Sequence, residues 1–172
     1  MEKNLNRILS DQKGKTRLSL LIFVSLAVAS AFILPTGQAI GWAFLVMALV
    51  IGSAMLVRIR RSREELAKLG DTAEAEKKFK APDTVYYEPF GLTVGRDFAV
   101  LEQPSLRVYP LGEMEKFEVG IAGDVRKVLF LTDRNGERHP IAETRKDRDY
   151  QKEFDRVYNQ VREIFSERNA GN

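Results

Sequence analysis

The chain has 172 residues, a length that fits one small domain and an additional segment. It contains no cysteine, which excludes disulfides, zinc–thiolate sites and iron–sulfur clusters, and one histidine, His139, which makes metal binding and acid–base catalysis unpromising. The net charge of +3 is located in residues 1–17, since the remaining residues carry 22 basic and 22 acidic side chains. This balance argues against nucleic-acid binding.

Two long uncharged runs follow the basic N-terminal segment, over residues 18–34 and 39–57. A helix over the shorter run spans roughly 26 Å, close to the thickness of a bilayer core. The connector contains Pro35 and Gly37, which end one helix and turn the chain into the next. We therefore predict a transmembrane helical hairpin over residues 18–57. A cleaved signal peptide and a buried soluble hairpin are the alternatives.

Basic residues flank the predicted hairpin on both sides, whereas its connector is uncharged. By the positive-inside rule, both termini are expected in the cytoplasm or stroma, at a bacterial inner membrane or a thylakoid. The same side chains could bind anionic lipid headgroups. The membrane-flanking basic residues are Lys13, Lys15, Arg17, Arg58, Arg60, Arg61 and Arg63.

Small residues recur at helical spacing in both runs, at Ala27 and Ala31 and at Ala48 and Gly52. Small side chains four residues apart allow two helices to approach closely. We expect these residues to pack the two helices against each other. The alternative is that they form a face for another membrane protein.

A charged helical linker is predicted over residues 58–83. The second long helix is expected to continue to about Leu69 and to stop before Asp71. Asp71 or Thr72 can then cap a short helix through Lys78. Such a charged run is typical of a solvated stalk, and we assign it no chemistry.

A β-rich domain with a C-terminal helix is predicted over residues 84–168. The helix follows from an apolar stripe with spacings of 4, 3, 4 and 3 residues, at Tyr150, Phe154, Val157, Val161 and Ile164. Asp147 or Asp149 can cap its start. Asn135-Gly136 predicts a hairpin turn, because this pair suits positive φ angles. Short β-rich runs between turn residues predict seven strands: residues 84–88, 92–94, 98–102, 106–109, 114–121, 125–132 and 137–142.

Seven short strands followed by an amphipathic helix resemble the pleckstrin-homology-like (PH-like) architecture. This resemblance implies a bent antiparallel sheet or open barrel, plugged at one end by the helix. The predicted fold class is thus a membrane α-helical hairpin plus an α+β soluble domain. Fold resemblance alone does not imply function.

The layout is also similar to that of the two-span photosystem I assembly factor family of thylakoids. That family has a transmembrane hairpin, a β-rich stromal domain and a helix. The sequence pieces that carry the resemblance are Arg126-Lys127-Val128-Leu129-Phe130, Gly136, Pro140-Ile141 and Thr144-Arg145. The chain departs from the family in ending with a polar tail instead of a further apolar segment. The resemblance implies a role in assembling a photosynthetic complex.

No P-loop, dinucleotide fingerprint or nucleophile elbow occurs in the sequence. His139 is interpreted as an ordinary strand histidine beside a hairpin turn. Four basic residues surround the same predicted hairpin and could form a contact surface, although nearby acidic residues dilute their charge: Arg126, Lys127, Arg134 and Arg138. We therefore predict no enzymatic activity, no catalytic residue, no bound metal and no cofactor.

The functional prediction is a membrane-anchored interaction module that assists the assembly of a larger membrane complex, or is an accessory subunit of it. Its expected partners are membrane lipids and another integral membrane protein, with no nucleic acid. The alternative is a PH-like lipid sensor or signalling protein at the membrane surface. That alternative would use the arginines of Arg58–Arg63 and the basic hairpin.

Overall fold

The computed structural model describes residues 5–122, 126–145 and 150–170. The chain divides into two compact units, which are considered separately below. The helical unit is Leu5–Glu64, and the β unit contains the chain from Glu65 onward.

The helical unit consists of two long apolar helices joined by a tight turn. Helix α1 is Leu5–Ile33, and helix α2 is Ala39–Ala67, whose last three residues belong to the β unit. Between them, Leu34–Thr36 forms one 3₁₀ turn that contains Pro35, and Gly37 adopts a left-handed φ of 75°. Both helices are long and apolar enough to cross a membrane. The prediction of two long apolar helices is confirmed, and α1 begins well before the predicted span.

A short helix opens the β unit. Helix α3 is Thr72–Lys80. The Glu74 backbone N–H donates to Asp71 Oδ1 at 2.8 Å, so the cap is Asp71 and not Thr72. Gly70, with a φ of 94°, separates α3 from α2.

In the part of the chain that the structure describes, seven antiparallel strands form two sheets, and every predicted strand is present within a few residues of its predicted bounds. The first sheet has the order β1-β2-β3-β4 and the second has the order β5-β6-β7. The strands are β1 Val85–Tyr87, β2 Leu92–Val94, β3 Phe98–Leu101, β4 Arg107–Pro110, β5 Met114–Ala122, β6 Arg126–Asp133 and β7 Arg138–Arg145.

The β6–β7 hairpin forms where it was predicted, but with different turn chemistry. Gly136 has a φ of 81°, and its N–H donates to the carbonyl of Asp133 at 3.0 Å. No described non-glycine residue has a positive φ, so Asn135 does not share the left-handed conformation. The turn thus relies on one left-handed glycine, as longer hairpin loops do.

Helix α4, Gln151–Ala170, closes the core of the β unit. Phe154, Val157 and Val161 are buried, as the stripe predicted. Phe165 replaces Ile164 as the fourth buried residue, because spacings of 3, 4 and 4 follow the helical period better. Tyr150 precedes the helix and is exposed. The proposed caps Asp147 and Asp149 lie outside the described residues.

Candidate functional site

The predicted membrane-flanking basic residues lie on the two long helices. Lys13, Lys15 and Arg17 are exposed on α1. The four arginines of Arg58–Arg63 are exposed on α2, and their spacing at 100° per residue distributes them around the helix. One of them is paired, since Arg60 Nε lies 2.8 Å from Glu64 Oε1. These four arginines therefore surround α2 instead of forming one basic face, and they are called the arginine girdle below.

The close approach of α1 and α2 involves some of the predicted small residues. Ala48 is buried, and a side chain at Gly52 would come within 3.0 Å of the Phe23 ring. Ala27 is half-buried, whereas Ala31 is exposed. A polar contact joins α1 and α2 close to the turn that connects them: Ser30 Oγ donates to the carbonyl of Gly41 at 3.1 Å. The sequence analysis did not predict this contact.

The four basic residues of the predicted contact surface do not form one patch. Arg126 and Lys127 begin β6, whereas Arg134 and Arg138 lie at its other end, roughly 20 Å along the strand. Acidic partners further reduce their free charge. Arg126 Nη1 lies 3.0 Å from Glu143 Oε1, and Arg138 Nε lies 2.6 Å from Glu118 Oε1.

A polar cavity of about 540 Å³ lies between β4 and the β6–β7 turn. Two side chains line it and bind the backbone of β4: Glu65, in the last turn of α2, and Lys68, just after the end of that helix. Glu65 Oε2 accepts from the N–H of Val108 at 2.7 Å, and Lys68 Nζ donates to the carbonyl of the same residue at 3.5 Å. Because β4 is an edge strand, these side chains occupy backbone groups that a further strand would otherwise use.

The cavity also contains Tyr109 and His139, whose rings lie 5.2 Å apart. Burial raises the pKa of the Tyr109 phenol, and the neighbouring Arg107 guanidinium offsets part of that rise. The phenol is therefore neutral near pH 7 and acts as a hydrogen-bonding group rather than a base.

His139 belongs to a small cluster with Asp133 and Glu137, whose ligand atoms all lie within 4.8 Å of one another. His139 Nε2 lies 3.5 Å from Asp133 Oδ2, and Nδ1 lies 3.8 Å from Glu137 Oε1. The two carboxylates thus approach opposite ring nitrogens. A divalent metal on Nε2 would be bound by Asp133 and His139, with Glu137 as an outer hydrogen-bond acceptor. The sequence analysis did not identify this cluster, although the spacing Asp-x₃-Glu-x-His across a tight turn could have indicated it.

A larger groove, about 780 Å³, lies between β1 and one face of α4. At its base, the Tyr87 hydroxyl donates to Gln160 Oε1 at 2.8 Å. Gln160 Nε2 donates in turn to the carbonyl of Asp83 at 2.8 Å. Burial raises the pKa of the Tyr87 phenol, although Arg156 opposes this, so the phenol remains a donor. These hydrogen bonds connect α4 to β1 and to the residues just before it, and the groove is part of the folded unit.

The concave surfaces formed by the described residues include the polar cavity and the β1–α4 groove, besides the apolar surface of the two long helices. Sequence reasoning identified neither concavity. A comparison with protein-family models finds no matching family, and a search of curated proteins finds no match.

Proposed function

We propose that this chain is a non-catalytic interaction module held at a membrane surface by a transmembrane helical hairpin. The observation that carries the proposal is the exposure of the long helices. In the most apolar 18-residue stretch of each helix, only 6% (first helix) and 11% (second helix) is buried. Fifteen large apolar side chains between Leu18 and Val57 are exposed. These side chains are between 44% and 78% exposed, so transferring them from water to a bilayer core would be favourable by on the order of 10–25 kcal/mol. A bilayer would therefore remove a large apolar surface from water.

The charge pattern supports a topology with both termini on the same side. The exposed basic residues of α1 and the arginine girdle of α2 flank the apolar stretches, and the connector between the helices is uncharged. By the positive-inside rule, the β unit lies on the cytoplasmic side of an inner membrane, or on the stromal side of a thylakoid.

The β unit is proposed to be PH-like. Its support is the division into a four-stranded and a three-stranded antiparallel sheet, followed by one helix that closes the core. PH-like units serve as binding modules, and the β1–α4 groove offers a surface for that role. We accordingly propose that the protein assists assembly of a larger membrane complex or is an accessory subunit of it.

Cysteine labelling tests the anchor and its orientation, because the chain contains no native cysteine. Thr36→Cys places a thiol in the connector, and Ser166→Cys places one on α4; both positions are exposed. We expect a membrane-impermeant maleimide to label Thr36→Cys on intact cells and Ser166→Cys only after lysis. The opposite pattern would reverse the topology, and complete release of the protein by alkaline carbonate would contradict the anchor.

A mild-detergent pull-down from the native membrane tests the interaction role. We expect a membrane protein in stoichiometric amount, identified by mass spectrometry. A free monomer would contradict the assembly role and favour the lipid-sensing alternative. Of the two predicted lipid-contact regions, the arginine girdle of α2 supports that alternative better, because the basic residues of the hairpin are separated and two of them, Arg126 and Arg138, are paired with glutamates. Binding of the monomer to vesicles irrespective of anionic lipid would then contradict lipid sensing as well.

A further inference from the structure

The β1–α4 groove is built to receive an elongated ligand. One wall is β1, the edge strand of its sheet, and the other is the face of α4 from Glu153 to Glu167. That stretch of helix is roughly 21 Å long. An extended segment of about six residues has the same length. The shape of the groove thus suits a peptide in extended conformation.

Acidic side chains dominate the rim of the groove. Two basic residues line it, Arg96 and Arg156. Arg96 lies 3.9 Å from Glu167, but both side chains are largely exposed, so this pair is weak and can exchange partners. Among the residues that the structure describes, five carboxylates line the same groove, against these two arginines: Asp83, Glu88, Glu153, Glu163 and Glu167. The excess of three negative charges favours a cationic ligand.

The wall and floor of the groove add an apolar component. Val85 on β1 is exposed, and Ile164 on α4 is half-buried. Glu163 and Glu167 are four residues apart on the helix, a rise of about 6 Å. Side chains on one face of an extended chain repeat at about 6.7 Å. Basic side chains at alternate positions of an extended ligand can therefore reach both carboxylates while its other side chains face the apolar residues.

We propose that the β1–α4 groove binds a short, extended segment of a partner membrane protein with alternating basic and apolar residues. The choice of partner rests on the proposed function, which places the β unit on the cytoplasmic side. Loops of membrane proteins on that side carry an excess of lysine and arginine close to the bilayer. An acidic groove on a module anchored at that surface is complementary to such loops.

The test measures peptide binding to the full chain in nanodiscs of phosphatidylcholine, with empty nanodiscs as the blank. The probes are a fluorescent peptide of alternating lysine and valine and its glutamate–valine counterpart. We expect the cationic peptide alone to bind, and its affinity to fall as the salt concentration rises. Equal binding of both peptides, or of neither, would overturn the proposal.

Variants locate the binding surface. Glu88→Gln with Glu163→Gln removes two groove charges, and we expect roughly three- to tenfold weaker binding. Arg156→Gln removes an opposing charge, and we expect about twofold tighter binding. Glu115→Gln with Glu143→Gln changes the net charge equally outside the groove and should leave affinity unchanged. If this control weakens binding as much as the groove variant does, the groove is not the site.

The result is independent of the anchor experiments. Loss of peptide binding with intact cysteine labelling would remove this inference and leave the membrane module in place. Labelling of Ser166→Cys on intact cells would instead contradict the cytoplasmic location. In that case the proposal that the groove binds cytoplasmic loops would be overturned, even if the groove still bound the cationic peptide.

Discussion

Asp133 stabilises the turn that follows it. The backbone N–H groups of Asn135 and Glu137 both donate to Asp133 Oδ1 at 2.9 Å. These hydrogen bonds, that of Glu137 first, lower the pKa of the Asp133 carboxyl, and His139 acts in the same direction. The charged carboxylate is therefore bound more favourably in the folded chain than in the unfolded chain.

This lowered pKa predicts acid sensitivity of the β6–β7 turn. Because the folded pKa lies below the unfolded one, the stabilisation is complete above the unfolded pKa of about 4 and is lost as the pH falls through the folded pKa. We expect the amide resonances of Asn135 and Glu137 to shift with a midpoint below the ordinary aspartate pKa of 3.8. In Asp133→Asn, which retains an acceptor but cannot titrate, they should not shift in that range. A midpoint at or above the ordinary aspartate value would contradict this account.

Arg168 connects the end of α4 to the start of the second sheet. Its Nη1 donates to the carbonyl of Leu111 at 2.7 Å, and its guanidinium lies 4.5 Å from the centre of the Phe165 ring. We expect Arg168→Ala to lower the free energy of unfolding by about 1–3 kcal/mol, since a charged donor is lost from a half-buried carbonyl. Arg162→Ala, on the exposed face of the same helix, should change it by less than about 0.5 kcal/mol. Thermal unfolding of the full chain in detergent compares the two, and equal effects would contradict the role of Arg168.

At the scale of elements, one side chain in the last turn of α2 and one just beyond it cover part of the edge of β4. Glu65 and Lys68 bind the N–H and the carbonyl of Val108, and Val108 is buried in the core of the β unit. An edge strand with unpaired backbone groups can recruit another chain. The two side chains therefore take the place of a neighbouring strand at this position.

We expect Glu65→Ala to destabilise the β unit by about 1–3 kcal/mol, because the Val108 N–H loses its acceptor. The amide hydrogen of Val108 should exchange markedly faster with solvent in this variant, and hydrogen-exchange mass spectrometry would detect the change. Glu64→Ala is the matched control, since Glu64 is exposed and is paired with the exposed Arg60. Unchanged exchange at Val108 in Glu65→Ala would mean that the edge is protected in another way.

At the scale of the whole molecule, the apolar surface of the helical unit is the dominant feature. Its large side chains point outward along both helices, whereas the β unit buries its own around one core. The two units therefore require different surroundings, and the proposed bilayer supplies the apolar one.

Charges placed on this surface should weaken membrane integration. Val46 and Leu49 are exposed on one face of α2. Val46→Lys with Leu49→Lys would cost about 5–7 kcal/mol at the centre of a bilayer. We expect a larger fraction of this variant in the carbonate-soluble supernatant, whereas Val46→Leu with Leu49→Met should stay in the pellet. Identical partitioning of both variants would argue against a lipid-facing helix.

The fold was largely predictable from the sequence, whereas the candidate sites were not. The strands and α4 follow from local periodicity, and the cap of α3 was narrowed to Asp71 or Thr72 because a capping contact spans only three residues. The sequence analysis grouped the four basic residues around the β6–β7 hairpin as one candidate contact surface, because they are close in sequence. Strand geometry separates them by the length of β6. Glu65 and Gln160 had no recognisable signal, since their partners are 43 and 77 residues away.

The sequence by itself determined the two long apolar helices, the turn at Pro35 and Gly37, the seven strands and the final helix. Each of these depends on residues within a few positions of one another, where charge, periodicity and backbone preference act directly. Only the tertiary structure decided that β1 and α4 enclose an acidic groove and that Glu65 and Lys68 cover part of the edge of β4. Those arrangements depend on which surfaces pack together, and packing brings together residues that are far apart in the sequence.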